Sequence, residues 1–290
     1  MSSPSIVFAT CSKRETLTPS DALLPPALAR LGVVATSAPW DAVSPSEGDG
    51  SLICLRSTWD YHLRIEEFRT WVGTFLATPW RLWNPPELVL WNMDKSYLRD
   101  LADRGIPMPP TRWFNPGEIP SLPDLFRETN WDHLVLKPRV SATAHETHLL
   151  PARQDTHEVD WTPYHETGAI TQSFAPEIAF GEISLIYLDG GFSHAVRKTP
   201  ATGEFRVQNE FGGTIAVEPP SHAMRALGDT VMATISSGWM YARVDAIETS
   251  DGPLLMELEM IEPELFLDLV PGAADVFATG LVRVLEVRSG

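Results

Sequence analysis

Short apolar runs alternate along the chain with amphipathic stretches. Ile6-Val7-Phe8-Ala9 predicts a buried first strand. Asp21 to Gly32 reads as a helix closed by a glycine, with Pro25 and Pro26 either starting or breaking it, and Val33-Val34-Ala35 makes a second strand. Ser51-Leu52-Ile53-Cys54-Leu55 is a third, apolar throughout, as befits a parallel strand covered by helices on both faces. A helix bearing Phe68 and Trp71 follows. The next helix, capped by Asn92 or Asp94, runs from Lys95 to a stop at Gly105. His133 to Pro138 and Ala169 to Phe174 are further strands, and the second leads through a break at Ala175-Pro176 into Glu182-Ile183-Ser184-Leu185. Alternating strands and helices, without an internal repeat, predict an α/β fold.

The last strand pair carries the densest charge. Tyr241-Ala242-Arg243-Val244-Asp245 is separated by the turn signal Ser250-Asp251-Gly252 from Leu254-Leu255-Met256-Glu257-Leu258-Glu259-Met260, which predicts a hairpin. Alternation puts Glu257 and Glu259 on one face, with Leu254, Met256, Leu258 and Met260 opposite. If Asp245 pairs with Glu257, Arg243 falls opposite Glu259. Three carboxylates with one guanidinium suit a hard cation on a polyphosphate. A surface ladder of salt bridges is the alternative reading.

Composition narrows the class. With 290 residues, 43% of them hydrophobic, the chain can bury a large core divided into two or three units. No apolar stretch approaches the roughly 20 residues that cross a bilayer. The N-terminus lacks a signal-peptide pattern, so a soluble cytoplasmic protein is expected. Cys11 and Cys54 match no metal or redox spacing and read as buried thiols. A formal charge of −16 argues against nucleic acid as a partner, so any bound phosphate must meet a local basic site. The Trp and Phe content is compatible with a homodimer.

Such basic positions are scattered along the chain. The third strand ends at Arg56-Ser57-Thr58-Trp59-Asp60-Tyr61-His62, where ligands collect beyond strand carboxyl ends, although Trp59 and Tyr61 can equally pack on the Phe68 and Trp71 helix. Lys95 stands near a helix N-terminus, which favours negative charge unless an anion is held there. Lys137 ends a strand and can either snorkel to water or meet a ligand. The small-residue loop 139–148 can fold over phosphates, and its His145 and His148 read as solvated rather than metal-binding. Backbone freed at the Gln172-to-Glu182 break can bond a heterocycle, with a nearby carboxylate for ribose hydroxyls. Arg197-Lys198, Arg206 and the Gly212-Gly213 pair complete the series.

In this order, these segments resemble the ATP-grasp superfamily: Lys95 before Ile106-Pro107-Met108-Pro109, Lys137-Pro138, the 172–182 hinge, Phe205-Arg206-Val207-Gln208 with Gly212-Gly213, Arg243-Val244-Asp245 and Glu257-Leu258-Glu259. Arg56 to Tyr61, Trp83-Asn84-Pro85-Pro86 and the Glu257-to-Pro263 ending are similar, more narrowly, to small cycloserine-forming ligases. The resemblance implies a pre-ATP-grasp parallel sheet over 1–92 and a grasp domain over 93–290, with a lid at about 107–173 and a catalytic part at about 174–290. It implies Lys95, Lys137 and Lys198 at ATP, Gln172 with the backbone of Ser173 and Phe174 at adenine, and Glu182, or less readily Glu177, at the ribose. Asp245, Glu257 and Glu259 would bind Mg2+, or alternatively Mn2+. Arg206 and Arg243 would serve catalysis at an acyl phosphate, and Arg56, Tyr61, Gln208, Gly213 and Glu262 would meet substrate. Four departures stand out: Glu259 where asparagine is usual, Gln208 where asparagine is frequent, loop 139–148 without glycine, and Ile261-Glu262-Pro263 in place of glycines. The implied activity joins a small carboxylate to a nitrogen nucleophile; a small-molecule kinase and a non-catalytic ATP-binding regulator are the alternatives.

Overall fold

The computed structural model describes residues 5–44, 51–142, 144–152, 159–207, 212–236 and 238–286. Strand β1 (Ser5–Thr10) lies between β2 (Val34–Pro39) and β3 (Leu52–Leu55), and β4 (Leu82–Trp83) extends this parallel sheet beside β3. β3 is buried along its whole length, in keeping with its unbroken apolar composition. The two prolines start α1 (Leu24–Arg30) rather than break it, because their missing N–H groups fall in the first turn, which has no intrahelical acceptors. Helix α2 (Ile65–Gly73) turns Phe68 and Val72 into a cluster with Ile53, Leu55 and Leu82. The helix expected from Lys95 to Gly105 forms as α4 (Tyr97–Asp103), and a further helix, α3 (Pro86–Asn92), precedes it. Lys95 lies between them, its amide donating to Arg139 O at 2.8 Å.

A second sheet follows. It is built from β5 (Thr111–Phe114), β6 (His133–Pro138), β7 (His148–Pro151) and β8 (Ala169–Ser173), antiparallel in the order β5-β8-β6-β7. Its core joins Leu125 of α5 (Leu122–Thr129) and Tyr164 of α6 (Thr162–Thr167) to Leu134, Leu136, Leu150 and Ala169.

The third sheet contains β9 (Glu182–Leu188), β10 (Gly191–Thr199), β11 (Thr214–Val217), β12 (Tyr241–Thr249) and β13 (Gly252–Glu259), antiparallel in the order β11-β10-β9-β12-β13. Central β9 is buried at every residue. Helix α7 (His222–Ala233) sits so close to it that a Cβ on Gly228 would meet Leu185 and the Tyr187 hydroxyl at 2.5 Å. Phe277 and Leu281 of α8 (Ala273–Glu286) join Ile186, Leu188 and Tyr241 to Ile6, Phe8 and Leu28, so the first and third sheets share one hydrophobic core. Aromatic side chains go mainly into such clusters. Among the described residues Phe180, at 78% exposure, is the one Trp, Tyr or Phe left largely in solvent, so aromatic content gives no support to a dimer.

Asn84 stitches the two sheets together from a fully buried position. Its Nδ2 donates to Tyr241 O at 2.8 Å and Met260 O at 2.7 Å, and its Oδ1 accepts from Met240 N at 2.7 Å. Asn84→Ala leaves these backbone groups buried without partners and should cost about 3 kcal/mol, read as a lowered urea midpoint with an unchanged slope.

Candidate active site

The β12–β13 hairpin forms in the expected register: Asp245 opposite Glu257 and Arg243 opposite Glu259. Beyond Asp245 a bulge skips Met256, so Ala246 pairs with Leu255. This corrects the expected alternation. Leu255, Leu258 and Met260 enter the core, whereas Leu254 and Met256 turn to a cluster with Ile178 and Val207, and Met256 lines the site. The extra residue reverses the face of everything before it in the strand.

The hairpin floors a cavity of about 320 Å³ between the second and third sheets. Five cations, Lys95, Lys137, Lys198, Arg206 and Arg243, line it with six carboxylates, Glu182, Asp245, Glu257, Glu259, Glu262 and Glu264. Most of them are tied in ion pairs. Arg243 bridges Asp245, at 3.0 Å, and Glu259. Lys198 on β10 bridges Glu182 at 2.5 Å and Asp245 at 3.1 Å. Lys95 holds Glu257 at 2.9 Å and donates to Ser141 O at 3.0 Å, tying loop 139–148 to the hairpin. Lys137 Nζ donates to Gln172 Oε1 at 3.0 Å, and Arg206 pairs with Glu204 at 2.7 Å. Gly181, at φ +100°, lets the chain enter β9 against Lys198, where a Cβ would meet the Lys198 carbonyl at 3.0 Å.

These pairings set the protonation states. Burial raises the Asp245 carboxyl, but Arg243 and Lys198 outweigh it and hold the group down at about 2. For Glu257, burial is likewise outweighed by Lys95 and Lys137, and its pKa falls. At Glu259 burial prevails over Arg243, helped by Glu257 and Asp245, and pushes it up to about 7. Burial lowers Lys137. The three carboxylates expected to bind metal are thus separated by cations, and among the described residues no group of three His, Cys, Asp or Glu is arranged to hold an ion.

Most of the candidate residues meet in this one cavity: Tyr61, Lys95, Lys137, Gln172, Ser173, Phe174, Glu182, Lys198, Arg206, Arg243, Asp245, Glu257, Glu259 and Glu262. Arg56 does not. It is 1% exposed, paired with Asp21 at 3.0 Å, and donates through Nη2 to Pro263 O at 2.7 Å, so it braces the wall from behind rather than touching a ligand. Gly213 is also outside the lining, and Gln208 lies outside the described residues. Glu177 stays in the short turn before β9 while Glu182 takes the wall position. Tyr61 does both things the sequence allows, stacking 5.0 Å from Phe68 while facing the cavity. Three contributors went unrecognised. Ser184 donates to Asp245 at 2.5 Å, and a lone serine inside an apolar strand was its signal. Asn92 lines the cavity while its amide spans Leu258 O at 2.9 Å and Met260 N at 2.8 Å, standing in for a strand beyond β13. Glu264 had no local signal.

Comparison with known proteins agrees with this architecture. The family described as D-cycloserine synthetase DcsG, N-terminal domain, matches residues 6–84. The cycloserine biosynthesis protein DcsG of Streptomyces lavendulae is 25% identical, across 92% of this chain and 95% of that protein. The crystal structure of D-cycloserine synthetase DcsG superposes with a TM-score of 0.79 at 22% identity, covering 97% of this chain and 99% of that one. D-alanine–D-alanine ligase from Bacillus anthracis complexed with ATP gives 0.64 at 16% identity, over 99% and 97%. The fold is ATP-grasp. Within that class it is related to D-cycloserine synthetase DcsG.

Two outcomes follow from the buried charges behind the wall. Arg56→Met strands Asp21 without its partner and should destabilise the fold by about 3–5 kcal/mol, measured by urea denaturation; adding Asp21→Asn should restore much of it. Burial, with His145 beside it, lowers His62 to about 4. The unfolded chain therefore takes a proton between about pH 6.5 and 4 that the folded chain refuses, and stability falls as pH drops through that window. Urea midpoints of His62→Gln should show a shallower loss than wild type between pH 6.5 and 4.5.

Proposed function

We propose that this chain uses ATP to convert a small carboxylic acid, an amino acid or a derivative, into an acyl phosphate, which a nitrogen nucleophile then attacks to give an amide or ring, ADP and phosphate. The observation that carries this reading is the set of exchangeable ion pairs in one cavity of an ATP-grasp scaffold. A polyphosphate entering the cavity competes for Lys95, Lys137 and Lys198, each held by a carboxylate or amide. That exchange frees Asp245, Glu257 and Glu259 as oxygen donors, the ligand type that Mg2+ or Mn2+ prefers. Such an ion neutralises phosphate charge when bound.

The remaining residues divide the work. Val135, Ile178, Phe174 and Met256 form an apolar slot suited to adenine, with Gln172 and the Ser173 backbone at its edge and Glu182 for ribose hydroxyls. Arg243, once Asp245 and Glu259 are engaged elsewhere, and Arg206 stabilise negative charge growing on the acyl phosphate. Tyr61 and Glu262 line the substrate end. No side-chain nucleophile is needed, since positioning and charge neutralisation do the work. No helix of the described residues is long and apolar enough to cross a membrane, and the reading places the enzyme in the cytoplasm with ATP and its small substrates.

ADP release measured across a panel of carboxylic acids, with and without added amine, tests this. Acid-dependent release without an accumulating phosphorylated product is expected; a stable phosphorylated product would replace the ligase by a kinase, and ATP binding without turnover by a regulator. Glu257→Gln should lower turnover at least about a hundredfold, the scale of a lost metal or electrostatic group, with a lowered thermal midpoint from the lost Lys95 pair and an unchanged far-UV circular dichroism spectrum.

A further inference from the structure

The segment after β13 is irregular yet held along its whole length. Six consecutive carbonyls, Met260 to Leu265, each meet a side-chain donor from another part of the chain. Asn84 donates to Met260 O at 2.7 Å, the Tyr241 hydroxyl lies 2.8 Å from Ile261 O, and Trp59 Nε1 donates to Glu262 O at 3.3 Å. Arg56 donates to Pro263 O at 2.7 Å, Arg243 to Glu264 O at 3.2 Å, and His194 Nε2 to Leu265 O at 2.9 Å. No sheet or helix requires this path, so donors from β10, β12 and the segments that follow β3 and β4, most of them buried, impose it.

Ile261, Glu262 and Glu264 of the ladder line the cavity, and the Glu264 carboxylate accepts from Phe266 N at 3.1 Å, which leaves Glu262. The residue lines the site and is 8% exposed, and Trp59, whose indole bonds its carbonyl, and Tyr61 line the same cavity. Among the described residues no Lys, Arg or His lies within ion-pair distance of its carboxylate. The nearby cations are engaged elsewhere, Lys95 by Glu257 and Arg243 by Asp245 and Glu259. Burial, with Glu259 adding to it, raises Glu262 to about 8, the signature of a carboxyl lacking its counter-charge. A rigidly held, unpaired buried acid in a cavity that Trp59 and Tyr61 also line is complementary to a cation.

We infer that Glu262 is a specificity-determining residue, whose carboxylate receives a protonated amine carried by the acid substrate. This rests on the ligase reading for the identity of the bound acid. The arrangement gives the cavity two ends of opposite preference: Arg206 and Arg243 for the carboxylate that reacts, Glu262 for the ammonium that orients it. The carbonyl ladder keeps the two at a set separation.

Calorimetric titration of the whole protein, loaded with Mg2+ and a non-hydrolysable ATP analogue, tests this with both enantiomers of the common amino acids and their desamino counterparts. Wild type should bind at least one amino acid about tenfold to a hundredfold more tightly than its desamino acid, the range of a charge-assisted hydrogen bond. Glu262→Gln should bind the two equally, with a thermal midpoint at or above wild type because a neutral amide replaces a buried carboxyl that has no counter-charge. The inference is overturned if no amino acid binds wild type, if amino and desamino acids bind alike, or if Glu262→Gln keeps the preference. A preference lost in Glu262→Gln without ADP release from any acid keeps this assignment and removes the ligase.

Discussion

Buried charge can be kept only where it is paired, and this molecule is organised around that constraint. The cavity gathers five cations and six carboxylates in an otherwise acidic chain, and the solvation they lose is offset by bridging pairs such as Asp245–Arg243–Glu259 and Glu182–Lys198–Asp245. Every element that contributes a charge must therefore arrive in register. The β9–β12–β13 core, packed between α7 and the core shared with the first sheet, supplies that rigidity. The same pairs make the site responsive, because each can be traded for an equally good partner on a ligand.

The N-terminal sheet serves the cavity without entering it deeply. Arg56, Trp59 and Asn84 come from its strand ends, and all three spend hydrogen bonds on the backbone after β13. Asn92 and the Tyr97 hydroxyl do the same for the outer edge of β13 at Leu258 and Met260, so an edge strand carrying two glutamates is held on both sides. The side-chain ladder accommodates the bulky Ile261-Glu262-Pro263 segment at the end of β13.

Much of the site was legible because its signals are local. Alternation brackets Glu257 and Glu259 and the Ser250-Asp251-Gly252 turn marks the hairpin, but the turn carried on regularly would set Asp245 against Met256, and only the bulge brings Glu257 there. Less local features were misread. Arg56 sits at a strand end where ligands gather, and nothing nearby in the chain shows that Asp21 and Pro263 claim it. The Met256 bulge breaks an alternation that looks regular in sequence, and Asn92 resembles a helix cap until β13 is seen running past it.

By itself the amino-acid sequence determined most strand and helix types and the order of the charged segments, because periodicity and turn residues act over a few residues, and the membership of most of the cavity was implied only by the resemblance of that order to a known superfamily. The tertiary structure decided which carboxylate each cation holds, which residues brace the wall instead of facing it, and why Glu262 is left without a counter-ion. Those depend on contacts between positions up to some 200 residues apart, such as Arg56 and Pro263, with a separation of 207. Pairing a charge across that distance is a property of the packed fold, where burial makes every unmet charge costly.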